Sequence, residues 1–477
     1  MPILAPARRI ATRKLALANP GREIQPLSLP RAITLICIAA IGYGLAFATI
    51  HGAVAILVAL PCLCLLWRWR ISRQAFYVGL ATGIAMYLPH LLFFWSVFGP
   101  FAPALWIVAG LPIGVFLMLL NLAHRRLGSP WAWVFTPILW TGVEYTRSEL
   151  WQLRFAWLLP GQAPAFLPGV RLLYIGVYGL GFLYMVAAVL VVQRRLIPRV
   201  IGLAASLVLA FLMYWPPLPA SPPANLSATS LHVAGVQLEF PAAEQAARAL
   251  DRLATLHPEA QILVLSEYEF IGPVPQVVRD IVKKHGRYLI AGGVKPIPNN
   301  QFYDTAFVIG PDGRDVFDQA KSVPVQFMDD GLPAPERHVW DSPWGKIGIA
   351  VCYDISYARV MDDFVRKGAQ GLIVPTMDTA YWGGYERRML HGRLAPVRSA
   401  EYGIPTFGVW SSGESQLVDR FGRVIAKAAY PGQGDMIAGP FLLRSPGHVP
   451  PDRIFALVAT AITAAFVLWL ATQLRLA

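Results

Sequence analysis

In the run Gly348–Ile349–Ala350–Val351–Cys352–Tyr353–Asp354, a thiol and a carboxylate stand two positions apart. The apolar, β-branched residues before them predict a buried strand that delivers Cys352 to the point where the chain turns polar. Of the four cysteines, Cys37, Cys62 and Cys64 fall inside long hydrophobic segments, so Cys352 stands alone in the part that reads as water-soluble. It has no disulfide partner there. The plain alternative is a core thiol, because free cysteine is among the most buried residue types. As a nucleophile Cys352 needs help, since a thiol near its ordinary pKa of about 8.5 is mostly protonated at neutral pH. Two other strand ends offer that help. Ile262–Leu263–Val264–Leu265–Ser266–Glu267 ends in a carboxylate, and Val316–Phe317–Asp318–Gln319–Ala320–Lys321 places an ammonium after the turn Gly310–Pro311–Asp312–Gly313. If the three met at one sheet edge, Glu267 would take the thiol proton. Lys321, with a backbone N–H after the cysteine, would stabilise the thiolate and the oxyanion of a tetrahedral intermediate. His338 and His391 leave a Cys-His dyad open, although nothing else of a Cys-His protease pattern is present. No His/Cys spacing suggests a metal and no Gly-rich run after a strand suggests a nucleotide, so no cofactor is expected.

The chain that must position these residues has 477 residues, 55% of them hydrophobic and only 14% charged, with a mean hydropathy of +0.48. That is too apolar for an ordinary soluble enzyme and predicts a membrane protein. Runs of roughly 20 apolar residues place spans near 32–49, 51–67, 75–98, 103–123, 131–146, 169–192 and 198–215, and a last one near 454–472. The formal charge of +13 is no nucleic-acid signal, because much of the basic excess lies beside these spans. The N-terminal tail, Arg68/Arg70/Arg73, Arg125/Arg126 and Arg194/Arg195/Arg199 fall on one side, which the positive-inside rule makes cytoplasmic. The first span follows a basic stretch and runs on into others, so it is expected to stay as an anchor. Tryptophans at span ends, among them Trp67, Trp69, Trp131, Trp133, Trp151 and Trp157, fit an interfacial belt. His90 is an intramembrane polar group for which helix packing is the simpler reading. Glu144, Arg147, Glu149 and Arg154 make one outer loop unusually charged, suited to a lipid-facing mouth.

Organisation follows: a basic cytoplasmic tail over 1–30, a seven-span domain over 31–216, a Pro-rich linker over 217–230, a layered domain over 231–445, and a C-terminal span and tail over 446–477. In the layered part, short β-rich runs at Leu231–Gln237, Ile262–Leu265, Tyr288–Gly292, Thr305–Ile309, Ile347–Cys352, Leu372–Pro375 and Thr406–Val409 alternate with helical spacing at Ala242–Leu256 and Pro275–His285. That alternation predicts an α/β or α+β domain.

The set Leu263–Val264–Leu265–Ser266–Glu267, then Lys321, then Gly348 to Asp354, in this order, resembles the Glu-Lys-Cys triad of the nitrilase or carbon–nitrogen hydrolase superfamily. Val418–Asp419–Arg420–Phe421–Gly422–Arg423–Val424 is similar to that family's late strand–turn–strand. The resemblance implies an αββα sandwich with Glu267 as general base, Cys352 as covalent nucleophile and Lys321 as oxyanion stabiliser. A nitrilase-like domain between seven spans and one more narrows the resemblance to the apolipoprotein N-acyltransferase family. Phe155–Ala156–Trp157 through Gln162, with Gly176 to Gly181, is similar to that family's membrane-domain signature. It implies a bacterial inner-membrane enzyme, monomeric, with its catalytic domain on the periplasmic side. The implied partners are a phospholipid acyl donor and a lipoprotein acceptor, with no nucleic acid.

The chain also departs from the family. Ser266 replaces the usual Pro before the base, and Ser322–Val323–Pro324–Val325–Gln326–Phe327–Met328–Asp329 replaces a His-Leu-Val-Pro-Phe-Gly-Glu-like run. The resemblance makes Asp329 the substitute for that auxiliary glutamate, and puts Asp354 where Glu more often follows Cys-Tyr. Asp329, Tyr353, Asp354 and Trp382 are the expected substrate-binding residues. Arg387, Arg388, Arg393 and Arg398 are candidates for lipid phosphates, with a solvated helix face as the simpler reading. The alternatives to lipoprotein acylation are a membrane-tethered amidase or nitrile hydrolase using water, a divergent acyltransferase with another amine acceptor, and a silent scaffold.

Overall fold

The computed structural model describes residues 25–215, 229–382, 385–429, 434 and 436–475. The basic tail and most of the Pro-rich linker lie outside them. The first half is helical: α1 (Leu29–Ala48), α2 (Ile56–Leu65), α3 (Ser72–Leu91), α4 (Phe94–Phe98), α5 (Ala102–Arg126), α6 (Ser129–Tyr145), α7 (Val177–Val191) and α8 (Leu196–Tyr214). Glycines four apart bring α3 and α5 into backbone contact. A Cβ at Gly79 would stand 2.6 Å from the Ile113 carbonyl oxygen, and one at Gly83 2.8 Å from that of Gly110. Such small-residue seams let helices associate where lipid removes the hydrophobic drive.

The helices differ from the expected spans in several places. The run 75–98 breaks after Leu91, and α4 is a separate five-residue helix. The run 51–67 becomes a 3-10 turn, His51–Ala55, and the ten residues of α2, while α6 has 17 residues. The run 169–192 is a 3-10 segment, Pro168–Ile175, that meets α7 at 99°. Gly176 supplies the corner with a φ of 94°, a conformation glycine adopts without strain. Four helical stretches among the described residues are long and apolar enough to cross a membrane: Leu29–Ala48, Phe94–Arg126, Leu196–Tyr214 and Asp452–Gln473; the bent pair makes a fifth if counted as one span. His90, in the last turn of α3, lies 3.0 Å from the Gly44 carbonyl oxygen through Nε2, a helix-packing contact.

Among the described residues the second half holds twelve strands: β1 (Thr229–Val236), β2 (Ile262–Val264), β3 (Tyr288–Ile297), β4 (Gln301–Ile309), β5 (Asp315–Ala320), β6 (Val339–Ser342), β7 (Gly345–Ile349), β8 (Gly371–Thr376), β9 (Thr406–Trp410), β10 (Gln416–Val418), β11 (Val424–Lys427) and β12 (Met436–Leu443). They form two six-stranded sheets, ordered β12-β1-β2-β3-β4-β5 and β11-β10-β9-β8-β7-β6. In each sheet three parallel strands, β1-β2-β3 or β7-β8-β9, are flanked by antiparallel ones.

The alternation of side chains explains the layering. Leu231, Val233, Ile262 and Val264 join the core shared with Ile347, Ile349, Ile373 and Phe407 of the other sheet. Ala234, Val236, Leu263 and Leu265 turn the other way, onto Leu250 and Leu253 of α9 (Ala243–Leu256) and Val278 and Val282 of α10 (Gln276–His285). The helices α11 (Ala358–Arg366), α12 (Tyr385–Gly392) and α13 (Leu394–Tyr402) belong to the second sheet's half, and α14 (Asp452–Arg475) ends the chain. The result is the expected αββα sandwich.

The two halves meet through charged side chains at helix ends. Glu401 accepts the Val177 N–H at 3.0 Å, and Asp452 accepts those of Tyr178 and Gly179 at 2.8 and 3.0 Å, so two carboxylates cap the start of α7. In return Glu149 of the helical half accepts the Ala358 N–H at 2.8 Å at the start of α11. Arg393 donates to the Phe47 carbonyl in the last turn of α1 at 3.1 Å and to that of Ala163 at 2.9 Å. Each sign complements the helix dipole it meets. Arg393 and Arg398 are therefore buried at the junction, contrary to the solvated face expected of them; the side chains of Arg387 and Arg388 lie outside the described residues.

Glu401 also binds Arg398 at 2.5 Å and Arg453 at 2.7 Å, all three buried. Removing one partner of a buried pair leaves an uncompensated charge. Glu401→Gln is expected to lose about 3–5 kcal/mol of stability, read as a lower unfolding midpoint in detergent, with exposed Glu259→Gln as the neutral control.

Candidate functional site

Parallel strands present their carboxyl ends to a common edge, where α/β folds build sites. Glu267 lies three residues past β2, Cys352 three past β7, and Lys321 directly after β5. The fold brings all three together. The Lys321 ammonium lies 2.6 Å from Glu267 Oε1, 2.7 Å from Asp330 Oδ2 and 3.3 Å from Asp304 Oδ2. The second oxygen of Glu267 accepts the Met377 N–H at 2.7 Å, and the Cys352 thiol is hydrogen-bonded to the same carboxylate. Glu267, Asp304 and Asp330 are close enough to hold a cation, but the lysine ammonium already fills that position.

This cluster sets the protonation states. Burial works to raise the Glu267 carboxyl, but the Lys321 charge and hydrogen bonds from Asp304, Cys352 and Lys321 outweigh it and hold Glu267 below its ordinary value. Asp304 goes the other way, raised well up by burial and by the Glu267 charge. Lys321 stays an ammonium: burial lowers it, and Glu267 and Asp330 more than compensate. Burial and the Glu267 charge push the Cys352 thiol well up. The resting site thus holds a neutral thiol against an ionised carboxylate, so the thiol proton moves to Glu267 only as sulfur attacks.

Cys352 is 7% exposed and lines a cavity of about 390 Å³. The helical half supplies one wall, from Phe93, Phe94, Phe98, Leu105, Val108 and Pro112, and the catalytic half the other, from Phe240, Tyr268, Val325, Phe327 and Met377. Arg147, Trp151, Arg154, Phe155 and Trp157 of the charged loop complete it, whereas Glu144 and Glu149 are buried away from the lining. Trp157, expected in an interfacial belt, is instead buried and donates to Ser356 Oγ at 2.8 Å. Cys352, Tyr268, Phe240 and Phe327 all have positive φ, of 49°, 52°, 47° and 67°, and all line the cavity. Each such backbone costs about 1–3 kcal/mol and persists where surrounding structure over-determines it.

The four expected substrate-binding residues fare differently. Tyr353 lines the cavity, its ring 6.1 Å from that of Trp157. Asp329 also lines it but is exposed; the auxiliary carboxylate on Lys321 is its neighbour Asp330, which also accepts the Val325 N–H at 2.6 Å and the Tyr268 hydroxyl at 3.0 Å. Asp354 is corrected: it is fully buried, absent from the cavity wall, and accepts the Ser322 and Val323 N–H groups at 3.0 and 2.8 Å. It anchors the loop after Lys321 instead of meeting substrate. Trp382 sits in a 3-10 turn, Ala380–Trp382, and its side chain lies outside the described residues. His338 is paired with Glu336 at 3.3 Å on the surface, whereas His391 is buried and lines the cavity. Asp304 was missed: an acid within the apolar alternation of Thr305–Ile309 and its approach was its signal.

Buried Glu269 accepts the Ser266 hydroxyl at 2.6 Å and N–H at 3.1 Å, and burial pushes its carboxyl up to about 8. The folded chain keeps a proton there that the unfolded chain releases near 4.5, so stability falls as pH rises between those values. Glu269→Gln is expected to abolish that fall, about 5 kcal/mol across the window, in unfolding midpoints measured from acid to mildly alkaline pH. A wild-type-minus-variant difference that stays flat across the window rejects the assignment.

Two family matches divide the chain. The carbon-nitrogen hydrolase family matches residues 215–438, and the apolipoprotein N-acyltransferase N-terminal domain matches residues 39–190. Among curated proteins, omega-amidase NIT2-B of Xenopus laevis is 29% identical over 177 residues, covering 33% of this chain and 63% of that protein. Omega-amidase NIT2 of Danio rerio is 27% identical over 173 residues, with 33% and 62% covered. The chain thus spans less than two thirds of the length of these curated relatives. Nit3 of Saccharomyces cerevisiae, a member of branch 10 of the nitrilase superfamily, is similar in structure at 20% identity, covering 46% of this chain and 91% of that one, with a TM-score of 0.40. A carbon–nitrogen hydrolase of Helicobacter pylori G27 gives 16%, 45%, 90% and 0.40.

Proposed function

From the membership of this chain in the apolipoprotein N-acyltransferase family, within the nitrilase superfamily, we propose that it moves a fatty acyl chain from a phospholipid, through a thioester on Cys352, to the α-amino group of a diacylglyceryl-cysteine at a lipoprotein N-terminus. The observation that carries this reading is the cavity: one wall is the apolar face of α4 and α5, a natural path for an acyl chain, and the other holds Cys352, Glu267 and Lys321. In the loading step the sulfur attacks the ester carbonyl while Glu267 takes the thiol proton. The ester C–O bond breaks, and Glu267 returns the proton to the leaving lysophospholipid hydroxyl. Lys321 is hydrogen-bonded to Glu267 and lies beside Asp330 and Asp304, so it acts on the oxyanion as a nearby charge, with the backbone N–H after Cys352 as the donor. In transfer the amine attacks the thioester and the sulfur leaves.

The charge pattern of the loops supports a cytoplasmic N-terminus and a catalytic half facing the periplasm of a bacterial inner membrane, with the helical half embedded in it. The enzyme acts as a monomer with no cofactor, and neither partner is a nucleic acid. The similarity to omega-amidases supports a second reading, a membrane-tethered amidase that uses water as acceptor.

Incubation with acyl-labelled phosphatidylethanolamine vesicles separates the two. Hydroxylamine-labile label is expected on wild type, with loss of more than about a hundredfold in Cys352→Ala and a comparable fall in loading rate in Glu267→Gln. No label on wild type, with turnover of small amides in the absence of lipid, rejects acyl transfer in favour of the amidase.

A further inference from the structure

The two half-reactions differ in their protons. Loading moves a single proton, from sulfur to the leaving oxygen, and Glu267 alone can carry it. An α-amino acceptor, with an ordinary pKa of about 7.7–8.0, arrives largely as an ammonium. It must lose one proton before its nitrogen has a lone pair and a second once the C–N bond has formed. The departing sulfur takes back one of these, through Glu267. One proton is left over.

The cavity wall holds a second acceptor that loading does not use. His391, at the end of α12, is 2% exposed and lines the same cavity as Cys352, Glu267 and Lys321. Its Nδ1 lies 3.4 Å from Asp378 Oδ1, which favours the tautomer with the proton on Nδ1 and leaves Nε2 as the base. Nε2 has no protein partner among the described residues. The ring is held between Trp157 and Trp410, at centroid distances of 5.4 and 5.9 Å. Asp378 directly follows Met377, whose N–H binds Glu267, so one short segment after β8 braces both bases. Among the described residues, the other charged groups facing this space are Arg147, Arg154, Asp329 and Asp330 on the cavity wall, while Glu414, across from Gly392, is paired with Lys427 at 2.7 Å.

We propose that the Asp378–His391 pair takes the surplus proton of the acceptor ammonium, making His391 the base of the transfer step while Glu267 serves the thiol. N–H to Nε2 transfer frees the nitrogen lone pair; the nitrogen attacks the thioester carbon, the C–S bond breaks, and Glu267 passes the second amine proton to sulfur. His391 then releases its proton to water. This inference rests on the acyl-transfer reading above.

The test separates the steps in the full-length protein. Cys352 is loaded from acyl-labelled phosphatidylethanolamine vesicles, then chased with a synthetic peptide bearing an N-terminal diacylglyceryl-cysteine, and the ratio of transfer rate to loading rate is followed against pH. His391→Gln is expected to lower that ratio about tenfold or more near pH 7 and to approach the wild-type ratio near pH 9.5, where the amine is already neutral. Asp378→Asn is expected to give a smaller fall with the same recovery, and serves where His391→Gln does not fold. Chase by hydroxylamine, an amine neutral at pH 7, is expected to show no such fall. A variant ratio equal to wild type near pH 7, or a deficit that persists at high pH or with hydroxylamine, overturns the proposal. Failure of wild type to load refutes the acyl-transfer reading itself, and this inference with it.

Discussion

The site depends on one buried ammonium. Lys321 is almost fully enclosed, and a charge taken out of water persists only where partners replace its hydration. Three carboxylates do so, each delivered by a different segment: Glu267 after β2, Asp304 within β4 and Asp330 from the loop after β5. None of these segments can shift without leaving the lysine short of a partner. Because the cluster has more acid than base, it splits its acids, with Glu267 held below its ordinary value by Lys321 and Asp304 raised well above its own by burial and the Glu267 charge. Cys352 comes from the opposite sheet, so its thiol meets the Glu267 carboxylate only when the two layers are docked.

Strand ends were the legible part of the sequence. Glu267, Lys321 and Cys352 each close an extended run, and period-2 alternation marks which side chains enter the shared core. Charged residues whose partners come from distant segments were not legible. Nothing local distinguishes Asp330 from Asp329, yet Asp330 turns inward onto Lys321 while Asp329 stays exposed. Asp354 reads as a substrate ligand because it neighbours the nucleophile, yet its oxygens are committed to the Ser322 and Val323 amides. Arg393 and Arg398 look like a wet helix face until the helical half arrives to bury them. The apolar runs showed where helices exist but not where they break, since hydropathy is blind to the corner at Gly176. The glycine pairs 79/83 and 110/114 were a sign of close helix packing that the reading of the sequence passed over.

The cavity explains why a soluble type of fold is joined to apolar helices. A nitrilase-like sandwich alone would present Cys352 to water. Here α4, α5 and the loop carrying Trp157 close that face with aromatic and aliphatic side chains, leaving the polar groups of the triad at the inner end. The positive-φ residues gathered around this space are held in that conformation by the surrounding structure, at a cost in strain.

The seam between the halves is made of helix termini seized by opposite charges, so neither half is finished without the other. Cutting the chain at the Pro-rich linker to obtain a water-soluble catalytic fragment would strip Arg393 of the carbonyls at the end of α1, leave α11 without Glu149, and set Glu401 free of α7. Such a fragment would also lack one wall of the reaction chamber. Compounds selected against it would be fitted to a half-built cleft, so ligand discovery on this protein belongs with the intact chain.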